Sequence, residues 1–207
     1  LLTQLVFPLN AYACATYLAE GQVEYLHYGL FDQDHANLRA AQEHSTELII
    51  QRLPTPGTQV LEIGIGLGTT ARILADLGYH VTGISPDAAQ VAIARERSGG
   101  KVQFEVTRFE DFVSLTGEMD VILLQESAQY LDPRLLFSKA GRLLKAGGRM
   151  LVLDQFVLRQ TPPEESQLHY GPDFVRRAER QGFMLVEHLD LSTQATPTQD
   201  YILWILD

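Results

Sequence analysis

The stretch Val60-Leu-Glu-Ile-Gly-Ile-Gly-Leu-Gly68 constrains this chain most. Three apolar residues, Val60, Leu61 and Ile63, run into glycines at 64, 66 and 68, and a helical pattern starts at Thr69. Glycine lets a backbone turn tightly between strand and helix and approach a ligand closely. A bare glycine pattern is weak; one that follows a strand and opens a helix is stronger. The spacing is Gly-x-Gly-x-Gly, not the Gly-x-Gly-x-x-Gly of dinucleotide sites. Glu62 stands two positions before the first glycine. A carboxylate there repels a pyrophosphate and suits a cationic amine.

The rest of the chain repeats strand then helix. Strands are expected at Val60–Ile65, His80–Ile84, Val102–Val106, Asp120–Gln125, Arg149–Phe156 and Phe183–Leu189. Helices are expected at Asp34–Leu53, Thr69–Leu77, Pro86–Arg97, Pro133–Leu144 and Pro172–Gln181. Tyr201–Leu206 reads equally as an edge strand or as a helix capped by Thr198. Short apolar runs alternating with helices predict an α/β fold: a Rossmann-like, doubly wound, mostly parallel sheet with helices on both faces. One domain over 1–207 is expected, with 1–53 as a helical lid or cap and 54–207 as the core.

Bulk properties exclude several classes. The formal net charge of −10 speaks against a nucleic-acid partner, which needs a basic face, and against an anionic membrane surface. The single cysteine, Cys14, permits no internal disulfide and suits a cytoplasmic setting. Leu1–Ala19 is fairly apolar but holds Pro8 and Asn10 and lacks a basic start, so it does not read as a secretory signal. No apolar run is long enough for an integral membrane segment. The chain does not start with Met and stops abruptly in Tyr201–Asp207, as part of a longer protein would.

With its acidic residue, the glycine stretch resembles the first motif of class I S-adenosylmethionine-dependent methyltransferases. Further segments follow in the family's order. His80-Val-Thr-Gly-Ile-Ser85 is similar to its second strand, Thr107-Arg-Phe-Glu-Asp111 to its adenine-holding segment, Met119–Ser127 to its fourth strand, and Leu143-Leu-Lys-Ala-Gly-Gly148 to its turn into the fifth. The branch most similar includes cyclopropane synthases and sterol, tocopherol and sarcosine/dimethylglycine methyltransferases. Cyclopropane synthases carry Glu-His where this chain has Gln129-Tyr130, and a Cys where it has Tyr28, which disfavours cyclopropanation. The Glu126-Ser127 pair points to the natural-product branch, and to an O or C nucleophile of a small, fairly apolar metabolite as methyl acceptor. Alternatives are a nicotinamide oxidoreductase on a similar fold and a degenerate cofactor-binding partner domain.

The resemblance implies S-adenosyl-L-methionine as cofactor, held by Tyr28, Glu62, Gly64, Gly66, Gly68, Ser85, Gln90, Phe109, Glu110 and Gln125. Ser85 replaces the acid that usually grips the ribose; a carboxylate bond to a hydroxyl contributes about 1.5–3 kcal/mol and a neutral one nearer 1. Ser85 and Asp87 serve equally as caps of the next helix, and Phe109 equally as core. Methyl transfer is an in-line displacement that needs positioning and, for a hydroxyl or acidic carbon, a base. Catalytic candidates near the carboxyl ends of the strands are His27, Tyr130, Asp154 and His169, with His27 the base to test first. Residues 1–30 are expected to be less protected from hydrogen exchange than the sheet.

Overall fold

The computed structural model describes residues 4–6, 9–162 and 165–206. Five parallel strands, β1 (Gln59–Ile63), β2 (His80–Ser85), β3 (Gln103–Val106), β4 (Met119–Gln125) and β5 (Leu144–Leu153), form one sheet in the order β3-β2-β1-β4-β5. The order reverses between β1 and β4, the switch point where open α/β sheets bind ligands beyond the strands' carboxyl ends.

Helices cover both faces. Val60, Val121 and Leu123 pack with Ala71 and Leu74 of α3 (Thr69–Asp76), Val91 and Ala94 of α4 (Ala88–Ser98), and Ile49 of α2 (Leu38–Ile50). Leu61, Ile63, Ile122 and Leu124 face the other way, onto Leu136, Phe137 and Ala140 of α5 (Pro133–Leu143) and Phe174 of α6 (Gly171–Arg180). Adjacent residues of one strand thus feed opposite cores, which is why these strands are apolar throughout. Side chains set the helix starts: Asn37 accepts from Ala40 N–H, Asp87 from Ala89 and Gln90 N–H, and Asp132 from Arg134 N–H. The second helix therefore begins at Leu38 rather than at Asp34.

Two elements differ from expectation. Tyr201–Leu206 is the end of a helix, α7 (Ser192–Leu206), and Thr198 lies inside it instead of capping it. Phe183–Leu189 is no strand. Met184 and Val186 are solvent-exposed, only Phe183 packs, against Phe137, and Arg52 grips Glu187 through two bonds of 2.6 and 3.1 Å. Its apolar run Phe183–Val186 is strand-like, but a strand exists only by pairing, and none of the described residues pairs with it. α1 (Leu9–Glu20) packs against α7. Among the described residues no helix is long and apolar enough to cross a membrane.

Candidate functional site

The glycine turn leaves β1 at the switch point. Gly64 and Gly68 have left-handed backbones, and a Cβ on either collides: 2.4 Å from Ser127 Cβ at Gly64 and 2.5 Å from Ala94 Cβ at Gly68. These two are close-packing positions. Gly66 is also left-handed, but its missing side chain faces open space, with Leu26 nearest at 3.9 Å. Gly64→Ala is therefore expected to destabilise the fold by about 2–4 kcal/mol, from overpacking plus a strained φ, measured by urea unfolding. An unchanged midpoint would show that Ser127 gives way. No side chain caps α3, so its first amides are not satisfied that way.

Glu62 lies just beneath this turn. It is 2% exposed, its Oε2 has no hydrogen-bond partner, and burial pushes its carboxyl up to about 8. A buried acceptor without a partner is costly unless something arrives to use it.

At the tip of β2, Ser85 Oγ donates to Gln90 Oε1 (2.8 Å) and accepts from Asp87 N–H (3.1 Å). Both side chains are buried and satisfy each other, so the capping role is realised here. After β3 the Phe109 ring takes the core role, one of the two expected for it. It is core, 2% exposed, with Lys139 Nζ 5.2 Å from its centroid. That ammonium also donates to the Phe109 and Glu110 carbonyls at 2.6 and 2.9 Å. The Glu110 carboxylate lies 3.6 Å from Arg108. Gln125 is likewise engaged: it donates to Ser45 Oγ (3.1 Å) and accepts from Thr70 Oγ1 (2.9 Å). Its amide ties α2 and α3 to the sheet and is not free for a cofactor.

Beyond β4 the chain turns through Glu126, the non-glycine residue with positive φ (56°) among those described. Glu126 Oε1 accepts from Tyr28 N–H at 2.7 Å, and burial, with a contribution from nearby Asp154, pushes its carboxyl up to about 8. Asp154 Oδ2 accepts from Ala128 N–H (2.7 Å) and Oδ1 from Gln155 N–H (2.8 Å); burial raises its pKa too. His169 Nε2 bonds the Ala128 carbonyl at 3.0 Å, and its ring stacks on Phe174. Tyr130 is 66% exposed, and its hydroxyl is raised chiefly by burial and then by Asp154 and Glu126. Tyr28, Tyr130, Asp154 and His169 thus surround one turn, with Glu126 at its centre. The sequence places Glu126 in the loop that offers catalytic groups after the fourth strand but does not single it out. Its positive φ, the feature that marks it, leaves no trace in composition or periodicity.

His27 does not suit the role of base. Its Nδ1 donates to the Tyr28 carbonyl (2.9 Å), its Nε2 is buried without a partner, and burial lowers its pKa to about 4. An imidazole that binds protons so weakly gives little driving force for taking one.

The segment holding His27 and Tyr28 is tied down on several sides. Gln42 donates to the His27 carbonyl (2.6 Å), Leu30 N–H to the Ala41 carbonyl (2.8 Å), Arg97 to the Val23 carbonyl (2.9 Å) and Phe31 N–H to the Gln194 carbonyl (2.8 Å). Thr198, wholly buried in α7, accepts from Gly29 N–H (3.0 Å) and donates to the Gly29 carbonyl (3.2 Å). Thr198→Val leaves both Gly29 groups unpaired. We expect it to cost about 1–3 kcal/mol locally, seen as faster amide exchange at 28–31 with the sheet amides unchanged.

Comparison with known proteins bears on this geometry. Residues 61–152, the glycine turn through β5, match the family described as a methyltransferase domain. Over that stretch the chain resembles the class I S-adenosylmethionine-dependent methyltransferases. It is 33% identical over 102 residues to a ubiquinone biosynthesis O-methyltransferase of Thiobacillus denitrificans, covering 47% of this chain and 44% of that one. It is 36% identical over 104 residues to a 2-methyl-6-phytyl-1,4-hydroquinone methyltransferase of Synechocystis, covering 48% and 32%. It therefore spans less than half the length of these two curated relatives. In fold it resembles a (4+2)-cyclase, SpnF (TM-score 0.81, 21% identity, 93% of this chain and 76% of that one). It also resembles the geranyl diphosphate C-methyltransferase of Streptomyces coelicolor (TM-score 0.77, 20% identity, 93% and 81%). A cyclase among the neighbours shows that the shape alone does not name a reaction. The family match goes with methyl transfer and against the nicotinamide oxidoreductase alternative.

The residues present fit the family's cofactor, S-adenosylmethionine. Glu62 offers an unpartnered carboxylate oxygen to an ammonium, Gly66 leaves room beside the turn, and the α3 amides lack a side-chain cap.

Proposed function

We propose that this protein transfers the methyl group of S-adenosylmethionine to an oxygen or carbon nucleophile of a small, fairly apolar metabolite. The observation that carries the reading is the unpartnered Glu62 oxygen under the glycine turn. Glu62, with Gly64, Gly66 and Gly68, holds the cofactor's amino-acid end; Ser85 and Gln90 stand where a ribose would be met; the backbone around Phe109 and Glu110 borders the base. The bound cofactor supplies an activated methyl group. The chain's own work is positioning the acceptor and taking its proton at the Glu126 carboxylate, with Tyr28, Tyr130, Asp154 and His169 shaping the space around it. The curated relatives named for a hydroquinone and for ubiquinone biosynthesis support an acceptor of that general kind. We further read residues 1–53 as the cap of a single domain, apart from residues 1–3, 7 and 8, which lie outside the described residues. A net charge of −10 and one cysteine support a cytoplasmic protein without a nucleic-acid partner.

Calorimetric titration with S-adenosylmethionine and S-adenosylhomocysteine, with NAD as control, tests this first. Binding of the first two and not of NAD, lost in Gly66→Asp, is the expected result, followed by labelled methyl transfer to a panel of phenols and hydroquinones. Binding of NAD alone would overturn the reading.

A further inference from the structure

A second cluster of chemically capable side chains lies where the segment over the site runs into α2. Asp32, His35 and His44 present one ligand atom each, all within 4.8 Å of one another. We propose that these three residues form a binding site for a divalent transition ion of the zinc type, which clips the segment at Leu30–His35 onto α2.

The local chain builds the cluster. Asp32 Oδ1 accepts from Asp34 N–H (2.9 Å) and His35 N–H (2.8 Å), a side-chain turn that folds His35 back onto the same carboxylate. His35 Nδ1 then lies 2.7 Å from Oδ1. His44, inside α2, brings its Nδ1 to 3.5 Å from Oδ2. The two imidazoles stack with centroids 4.2 Å apart and planes 14° apart. Both rings offer a nitrogen to one carboxylate, and each carboxylate oxygen serves one ring.

The donor set decides the class of ion. Two imidazole nitrogens and one carboxylate suit zinc and its first-row neighbours, whereas magnesium and calcium prefer all-oxygen surroundings. Two ligands of one tetrahedral zinc stand ~3.4 Å apart, for bonds of ~2.1 Å. Closing from the present spacing takes side-chain shifts of under about an ångström. All three side chains are partly exposed, so solvent can supply a fourth ligand. The ion replaces an imidazole proton in the contact with Asp32, so binding releases protons when the rings start charged. His44 gives up its 2.9 Å bond to the Leu30 carbonyl in the exchange.

The consequence for the fold is local. Leu30 is already held by Ala41, and Tyr28, two residues earlier, donates to Glu126. An ion at Asp32 adds a metal-ligand clip at the far end of the same segment. The inference does not depend on the methyl-transfer reading.

The test is titration of the chelator-treated full chain with zinc chloride, with magnesium chloride as control. One zinc per chain and no magnesium are expected. Binding should be lost in His35→Ala and in His44→Ala and unchanged in His188→Ala, a surface histidine outside the cluster. Circular dichroism establishes that each variant is folded, and zinc should raise the Tm of the parent but not of His44→Gln. Amide exchange at 28–35 should slow with zinc in the parent alone. No zinc binding, or binding that survives both His35→Ala and His44→Ala, overturns the site; binding without slowed exchange overturns the clip.

Discussion

Glu62→Gln is expected to weaken S-adenosylmethionine binding roughly 10- to 150-fold, because an ammonium loses a charged acceptor worth about 1.5–3 kcal/mol. The side chain keeps its shape, so the loss reports charge rather than packing. A second signature comes from the free protein. Burial raises the Glu62 carboxyl from its ordinary range to about 8. Between those two values the folded chain holds a proton that the unfolded chain has released. Stability therefore falls as pH rises through that window, from roughly 4.5 to 8. Glu126 has a shift of the same sign and adds to the slope. The contribution of Glu62 is the difference between the parent and Glu62→Gln, and the variant's stability should fall less steeply with pH in urea titrations. An ammonium pairs best with an ionised carboxylate, so cofactor binding near pH 6.5 should expel a proton, seen as a heat that depends on the buffer. Unchanged affinity in Glu62→Gln would leave this group a buried acid and nothing more.

How far the sequence disclosed this arrangement depends on the range of the interaction. The strand-helix alternation and the glycine turn are local, carried by neighbouring residues, and β1 to β5 and the helices between them lie within a few residues of expectation. The turn Lys145-Ala-Gly-Gly148 is one exception: it interrupts β5 as a register shift, with Met119 opposite Leu144 and Val121 opposite Arg149. Phe183–Leu189 was misread because a short apolar run says that a segment could serve as a strand, not whether a partner stands beside it. What Gln125 and Phe109 engage was not legible because their partners, Ser45 and Lys139, lie 80 and 30 residues away. His27 was credited as a base by residue type, while its burial, which removes its basicity, depends on how the segment is covered. The bond between Thr198 and Gly29 spans 169 residues, and no pattern predicts it. Glu126 is the clearest case. Acidic residues after a fourth strand are unremarkable in a sequence, and only the backbone angle singles this one out.

Glu126→Gln is expected to lower kcat for a hydroxyl acceptor by about 10²–10⁴, the usual contribution of a positioned base, while cofactor affinity changes little. Glutamine keeps an oxygen for Tyr28 N–H, so the bond at 2.7 Å survives and only the proton acceptor is lost. The pH profile separates this base from the others. Burial holds the Glu126 carboxyl at about 8, and a base works only when deprotonated, so activity of the parent should climb as pH rises towards that value. The limb should vanish in the variant. His27, lowered to about 4, is deprotonated throughout this range and cannot produce such a limb, so His27→Gln should keep it. The backbone supplies an independent check. A non-glycine residue at φ 56° costs about 1–3 kcal/mol, a strain that persists only where the surroundings enforce it. Glu126→Gly relieves that strain but leaves the Tyr28 N–H without its acceptor, two effects of similar size, so it should change the Tm little while removing the base-dependent turnover. If Glu126→Gly is instead active, proton removal belongs to another group on the same turn, and Asp154, whose carboxyl is also raised, is the one to replace next.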